Sequence, residues 1–324
     1  MRSILVVVVN YRVGELTVEC LRSLESQVSV QPGSRVVVVD NDSGDGSGEA
    51  IAREIEHRGW GHWATLVPAP SNGGFAAGNN LGYRTGRQWL GERRPDYVFF
   101  LNPDTFLREN ALQILSDFLD QHSEVGIAGG RSEDPDGTPQ HCCFRFPSWP
   151  NELFSNLHVG IVDRWFRSRI ARVPISDAPH PIGWVSGAAM MVRTEIVERL
   201  GLFDEEYFLY YEETDFILRA GRAGWTCWHV PQSRIVHLVG YSSGVTVRHR
   251  RPGRKPKYWF DSRRRYFVKN HGALYAAAAD VAAIVGSALG VLRNLLGGRE
   301  RVHPPYLTRD FIRNSVFLKG ARLA

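Results

Sequence analysis

The chain begins with an uninterrupted run of aliphatic residues, Ile4–Val9, which stops at Asn10-Tyr11, and the same arrangement recurs. Arg35–Val39 stops at Asp40-Asn41-Asp42-Ser43, and Tyr97–Leu101 stops at Asn102-Pro103-Asp104. Runs this continuous, without polar alternation, predict strands covered on both faces. Helical spacing separates them: Glu15–Gln27 with Leu16, Cys20, Leu21 and Leu24 on one face, then Ser47–His57, then a stretch from Asn72 to about Leu90. Thr65–Val67 reads as a further short strand and Ala111–Gln121 as a helix. The alternation predicts an α/β fold with a mainly parallel sheet flanked by helices. Such sheets bind ligands at the carboxyl ends of their strands. Asn10-Tyr11, Asp40-Asn41 and Asn102–Asp104 all fall there. Singly, each cluster is equally a turn or a helix cap; gathered on one edge, they predict a site.

The second half is less regular. Arg131–Pro181 is Pro-rich and aromatic, which fits a variable substrate loop with short helices. Ile182–Met191 reads as a strand and Thr194–Leu200 as a helix. Glu212–Arg222 reads as a helix that opens on acids and closes on Arg219 and Arg222, as the helix dipole favours. Trp225–Val230 and Arg234–Leu238 read as short strands. From Arg248 to Arg265 there are nine Arg or Lys and one acid, Asp261, a local net of +8 in a chain of net +5. This segment suits phosphate-bearing partners, an anionic membrane surface or a solvated linker. Phe260–His271 reads as helical. Ala273–Leu292 is Ala-rich and apolar but is broken by Asp280, Gly286, Ser287 and Gly290. It has the length to span a bilayer, yet the central Asp favours an amphipathic helix lying on the membrane or on the body. The expected division is an α/β domain over 1–245 and a basic, helical C-terminal extension over 246–324.

Composition narrows the function classes. At 43% hydrophobic and 23% charged residues, collagen-like, mucin-like and disordered chains are excluded. Cys20, Cys142, Cys143 and Cys227 contain no C-x-x-C pair, so neither a disulfide framework nor a zinc site is expected, and reduced cytoplasmic thiols fit. Ile4–Val9 is too short for a signal peptide's apolar core. No G-x-G-x-x-G follows the first strand and no Gly-Lys-Ser or Gly-Lys-Thr occurs in a P-loop context, which removes dehydrogenases and P-loop NTPases.

Several groups remain that bear chemistry. A carboxylate at a strand end, such as Asp104, holds Mg²⁺ or Mn²⁺ against a diphosphate; Asn-Pro is also a plain turn signal. Asp40–Ser43 serves a base and ribose, or an Asx turn. The Gly-rich Asn72–Asn80 stretch lets backbone approach a ligand. Glu212, Glu213 and Asp215 put three carboxylates in four residues, with 212 and 215 on one helix face. Their repulsion raises at least one pKa, as a general base requires; an acidic first helical turn looks the same. Tyr207, Phe208, Tyr210 and Tyr211 suit a core or a sugar-stacking wall. His237, in an apolar strand, is either a satisfied core histidine or a partner of Asp104 on a metal.

In order and spacing, seven segments resemble the inverting glycosyltransferase family 2, of GT-A fold, and within it the rhamnosyltransferase-like bacterial branch. They are Val8–Tyr11, Val39–Ser43, Asn72–Asn80, Leu101–Thr105, Gly183–Arg193, Gly201–Asp215 and Val236–Ser243, so the resemblance covers roughly residues 3–245. It implies a donor site of Asn10, Tyr11, Asp40, Asn41, Asn72, Gly74, Phe75, Asn80, Asn102 and Asp104. It implies Mg²⁺ or Mn²⁺ on Asp104 and His237, with Asn102 standing where a strict D-x-D motif has Asp. Trp184 and Gly187 match the segment beside the acceptor. Glu213 matches the base, one methylene longer than the more usual Asp, with Glu212 and Asp215 binding acceptor hydroxyls or orienting it.

The implied donor is a nucleotide-diphosphate sugar, dTDP-rhamnose before UDP-hexose. The implied acceptor is a cell-surface glycan or a polyprenyl-linked one, with peripheral inner-membrane contact through 248–292 and no nucleic acid. A nucleotidyltransferase would need a Gly-rich loop with Arg and Lys after the first strand, and that loop is missing. The remaining alternative is a non-catalytic nucleotide- or glycan-binding protein of the same fold.

Overall fold

The computed structural model describes residues 2–29, 31, 33–157, 171–238, 253–296 and 304–323. The first half alternates as expected: β1 (Ile4–Asn10), α1 (Gly14–Ser29), β2 (Arg35–Asp40), α2 (Ser47–His57), β3 (Ala64–Pro68), α3 (Gly74–Leu90) and β4 (Tyr97–Leu101). Then come β5 (Thr105–Leu107), α4 (Ala111–Gln121), β6 (Val125–Glu133), β7 (Cys143–Phe144), α5 (Trp149–Leu157), β8 (His180–Ile182), β9 (Trp184–Val185) and β10 (Ala189–Arg193). The body closes with α6 (Thr194–Leu200), α7 (Glu212–Arg222) and β11 (Thr226–His237). A helical layer follows: α8 (Lys257–His271), α9 (Ala273–Leu296), α10 (Leu307–Asn314) and α11 (Val316–Lys319).

The main sheet runs β3-β2-β1-β4-β10-β6-β11-β5, with β8 also on β11. β1 to β4 pair in parallel, as do β6 and β11, whereas β10, β5 and β8 run against their neighbours. The sheet is therefore mixed, with its parallel half at the N-terminal side.

The unbroken apolar runs are explained by two cores, one on each face. Val6, Val8, Val36, Val38 and Phe99 pack under α1, α2 and α4. The alternate residues Val7, Val9, Val37, Val39 and Phe100 pack under α3, α6 and α7. Gly78, Gly82 and Gly86 of α3 lie so close to β1 that a Cβ would stand 2.8, 2.4 and 2.3 Å from Val9, Val7 and Leu5. Most of this Gly-rich stretch therefore seats a helix on a strand, and its first turn alone faces a ligand space.

Three expectations change. β6 is a central strand that the sequence does not announce, because Gly126, Gly129 and Gly130 dilute its apolar signal. Ile182–Met191 is not one strand but β8, β9 and β10, broken at Gly183 and at Ser186–Ala188. The two short strands near the end of the body are one strand, β11, with a register shift between Val230 and Arg234. Pro231 lies at that irregularity and cannot donate to a ladder.

α8 and α9 pack on the body. Tyr266, Phe267, Ala276 and Ala279 form one cluster with Tyr207. α9 buries Ala276, Ala279, Ala283 and Ser287 and leaves Leu274, Val281, Val285, Leu289, Leu292 and Leu296 exposed. Its Ala273–Arg293 segment is long and apolar enough to cross a membrane, but Asp280 on its inner face accepts from Arg263 Nη1 at 2.5 Å. Residues 239–252 lie outside the described residues. They carry Ser242 and Ser243 and the first part of the basic segment.

Candidate active site

The carboxyl ends of β1, β2 and β4 open onto a cavity of about 450 Å³, a size that fits a small-molecule site. Parallel register puts Asn10 beside Asp40. Asn10 is buried behind the cavity wall, where its Nδ2 donates to Asp40 Oδ1 at 2.7 Å and Ser47 Oγ at 3.0 Å, and its Oδ1 accepts from Thr17 Oγ1 at 2.9 Å. Ser43 Oγ donates to Asp40 Oδ1 at 2.5 Å. Asn10 and Asp40 thus brace the two strand ends, while Tyr11, Asn41 and Asn102 reach the wall.

Asn41 Nδ2 donates to Asn72 Oδ1 at 3.0 Å and to the Gly74 carbonyl at 3.1 Å, which holds the start of α3 against β2. Gly74 has φ +83°, and a Cβ there would stand 1.9 Å from the Phe208 carbonyl oxygen. That same oxygen accepts the Phe75 N–H at 2.7 Å. Asn72, Gly74, Phe75 and Phe208 are stitched together on one wall in this way. Asn80 sits farther along α3, away from the wall. Its Nδ2 donates to the Phe203 carbonyl and Glu205 Oε1, both at 2.8 Å, and so ties down the chain before the aromatic run.

Asp104 is fully buried between β4 and β5. β5 pairs with the end of β11, with Thr105 opposite His237. This register brings His237 Nε2 to 3.6 Å from Asp104 Oδ1, longer than a hydrogen bond. An oxygen and an imidazole nitrogen at that spacing, beside a cavity, fit two ligands of one divalent cation. Sequence spacing could not bring these two residues together; β11 does.

Across the cavity stands the start of α7. Tyr210 and Tyr211 have φ 71° and 73°, a left-handed conformation that bulky residues seldom adopt and that concentrates at functional sites. The turn delivers Glu212 and Glu213 to the wall, both buried. Burial pushes both carboxyls above the ordinary glutamate range, and for Glu212 the charge of Glu213 pushes further. The two differ in what opposes that push. The backbone N–H groups of Glu213, Thr214 and Gly187 favour the charged form of Glu213, whereas Glu212 has only its own. Of the pair, Glu213 ionises more readily and Glu212 keeps its proton longer.

Asp215 is on α7 but not in the cavity. Its carboxylate is fully buried and accepts from Lys269 Nζ at 2.8 Å, Asn270 Nδ2 at 2.7 Å and Arg219 Nε at 3.1 Å. The expected shared face with Glu212 does not make a shared site, because Lys269 of α8 and Arg219 of α7 hold Asp215 in ion pairs. Trp184 is also off the wall: its indole N–H donates to the Arg145 carbonyl at 3.0 Å and its ring stacks on Phe144 at 4.4 Å. Gly187 does reach the wall, beside Phe75.

The aromatic run divides. Phe208 and Tyr210 line the cavity, while Tyr207 and Tyr211 pack under α8. Two contributors went unnoticed in the sequence. Ser186 lines the wall from the break between β9 and β10, and Tyr258 comes from α8. Tyr258 stacks with Tyr210 at 6.3 Å and contacts Phe208 at 5.4 Å. The only signal for Tyr258 is its place in an aromatic triplet, Tyr258-Trp259-Phe260, inside a basic segment.

Comparison with known proteins adds four findings. A model of the family described as "Glycosyltransferase like family 2" matches residues 2–265. The N-acetylglucosaminyl-diphospho-decaprenol L-rhamnosyltransferase of Mycobacterium tuberculosis is 28% identical over 251 residues, covering 74% of this chain and 77% of that protein. The dTDP-rhamnosyl transferase RfbF of Shigella flexneri is 25% identical over 252 residues, covering 76% and 75%. Among solved structures, the mannosyltransferase PcManGT of Pyrobaculum calidifontis, in complex with GDP-Man and Mn²⁺, superposes with a TM-score of 0.59 at 18% identity. That match covers 99% of this chain and 88% of the mannosyltransferase, and it supports the fold.

Proposed function

This chain belongs to glycosyltransferase family 2 and is a glycosyltransferase, and on that premise we propose that it moves a sugar, with inversion, from a nucleotide diphosphate to a hydroxyl of a lipid-linked or cell-surface glycan. dTDP-rhamnose is the favoured donor and a UDP-hexose the next, since both relatives named above are rhamnosyltransferases. The observation that carries this reading is that one cavity is faced by His237, with Asp104 buried 3.6 Å behind it, and on the other side by the adjacent Glu212 and Glu213.

Asp104 and His237 would hold Mg²⁺ or Mn²⁺, which when bound neutralises charge on the departing diphosphate. Tyr11, Asn41, Asn72, Gly74, Phe75 and Asn102 surround the donor, with Asn10, Asp40 and Asn80 setting the loops that carry them. Glu213 takes the proton from the acceptor hydroxyl as its oxygen attacks the anomeric carbon. Glu212, protonated, donates a hydrogen bond to a neighbouring hydroxyl. Gly187 leaves room for the acceptor sugar beside Phe75, and Phe208, Tyr210 and Tyr258 stack on it. Trp184 and Asp215 act from behind, by steadying the β7–β9 ribbon and α7.

The exposed apolar stripe of α9 rests on the cytoplasmic face of the membrane, where a polyprenyl-linked acceptor is presented. Within the described residues the basic flank before it serves the fold instead, since Arg254, Arg263 and Arg265 pair with Asp310, Asp280 and Asp204.

Glu213→Gln tests the reading. It keeps the side chain's size and removes the basic oxygen. Turnover is expected to fall by about 10²–10⁴-fold, with thermal stabilisation by dTDP or UDP plus Mn²⁺ unchanged. Unchanged turnover would remove Glu213 as the base. Failure of dTDP, UDP and GDP, with either metal, to stabilise folded wild-type protein would favour the non-catalytic alternative.

A further inference from the structure

Behind the wall that carries Ser186 and Gly187 lies a second cluster, which the transfer reaction does not use. Cys142 and Cys143, adjacent at the start of β7, are both buried, with sulfurs 3.6 Å apart. β11 crosses beside them and contributes His229, so that both sulfurs and a ring nitrogen lie within 4.8 Å of one another. His229 is only 3% exposed, and apart from the neighbouring Cys142 thiol its ring nitrogens meet no hydrogen-bond partner. Burying an imidazole with a ring nitrogen left unpaired is costly, and a positive partner between it and the thiols would remove that cost.

We infer that Cys142, Cys143 and His229 bind one thiophilic metal ion of the zinc class. Two thiolates on a tetrahedral zinc, each with a bond of about 2.3 Å, stand about 3.8 Å apart, close to the spacing present here. Sulfur and imidazole select such an ion over Mg²⁺ or Mn²⁺, so this site and the Asp104–His237 site take different metals. The absence of a C-x-x-C pair hid it, because the third ligand comes from a distant strand.

The position gives the ion a task. Cys143 pairs with Val185, and the Cys142 carbonyl accepts the Ser186 N–H at 2.9 Å. An ion on this cluster pins the β7–β9 ribbon to β11, and with it the Ser186–Ala188 segment of the cavity wall.

The test is optical and independent of turnover. Wild-type protein, reduced and stripped with a chelator, is titrated with Cd²⁺ or Co²⁺. A thiolate-to-metal charge-transfer band is expected to saturate at one equivalent, and Mn²⁺ should produce none. His229→Gln and Cys143→Ser, each shown to be folded by circular dichroism, should bind on the order of tenfold more weakly or worse. If wild-type protein shows no such band, the site does not exist. If the band and affinity are the same in both variants, other thiols carry it and the assignment is overturned. The wild-type titration decides the matter even if a variant fails to fold.

Discussion

The parallel half of the sheet is held by apolar packing, whereas the helical layer of α8 to α11 adds a network of charges to its apolar clusters. Around β1, β2 and β4 the interior is Val6, Val7, Val8, Val36, Val37, Val38, Phe99 and Phe100, all without charge. Within the helical layer and between it and the body, charges do much of the joining. Arg263 is buried and donates to Glu152 at 3.0 Å, Asp280 at 2.5 Å and the Ala279 carbonyl at 3.0 Å. Asp204 accepts from Arg265 and Lys269, and Lys269 also reaches Asp215. Arg254 pairs with Asp310 at 2.7 Å. Apolar burial is non-directional and accumulates in small steps, whereas a buried ion is tolerable only while every partner is present. The first region should therefore yield gradually and the second abruptly.

The largest effect should come from Arg263→Ala. It removes the buried guanidinium that Asp280 and Glu152 share, and the loss should be about 3–5 kcal/mol, read by urea denaturation. A loss under about 1 kcal/mol, the scale of a surface pair, would erase the contrast.

Acid should separate the regions next. Burial pushes the Asp204 carboxyl up, but Lys269 and Arg265 more than offset this, and Arg254 holds Asp310 low chiefly by its hydrogen bonds. Both folded-state values lie below the unfolded aspartate value of about 3.9. The stability they add is thus complete above that value and is lost as pH falls through the depressed one. Glu212 and Glu213 have the opposite sign, since their raised values favour the folded state at low pH and oppose it as pH rises. Hydrogen exchange, corrected for its intrinsic pH dependence, should show α8 to α10 opening on acidification before β1 to β4. Simultaneous opening would mean that the charges do not govern the helical layer.

The smallest effect tests the other side. Ile51→Val, in the fully buried core under α2, should cost about 0.5–1.5 kcal/mol and leave nucleotide-induced stabilisation intact. A much larger loss would show the sheet half to be as brittle as the charge-joined half.

What could be read in advance follows the same line. The places of Tyr11, Asn41 and Asn102 on the cavity wall were legible because each follows an apolar run, and parallel register aligns those ends. The pairing of Glu212 with Glu213 was legible because it is local. Asp215 looked equivalent to them and is not: Lys269 and Asn270 claim it, and nothing near Asp215 in the chain announces them. Asn80 and Trp184 sit inside recognisable motifs, yet their hydrogen bonds go to the Phe203–Glu205 turn and to Arg145. Tyr258 enters the cavity from a segment that reads as a charged tail.

The amino-acid sequence alone determined that strands near the N-terminus are covered on both faces, that their carboxyl ends carry the polar groups, and that two adjacent glutamates open one helix. These follow from periodicity and from short-range capping chemistry, which act over a few residues. Only the tertiary structure decided that His237 meets Asp104, that Asp215 leaves the site for an ion pair, that Tyr258 joins it, and that His229 faces two cysteines. Those contacts depend on sheet order and helix docking, and the physical reason is that the energy of a contact is set by distance in space and by the exclusion of water, not by separation along the chain.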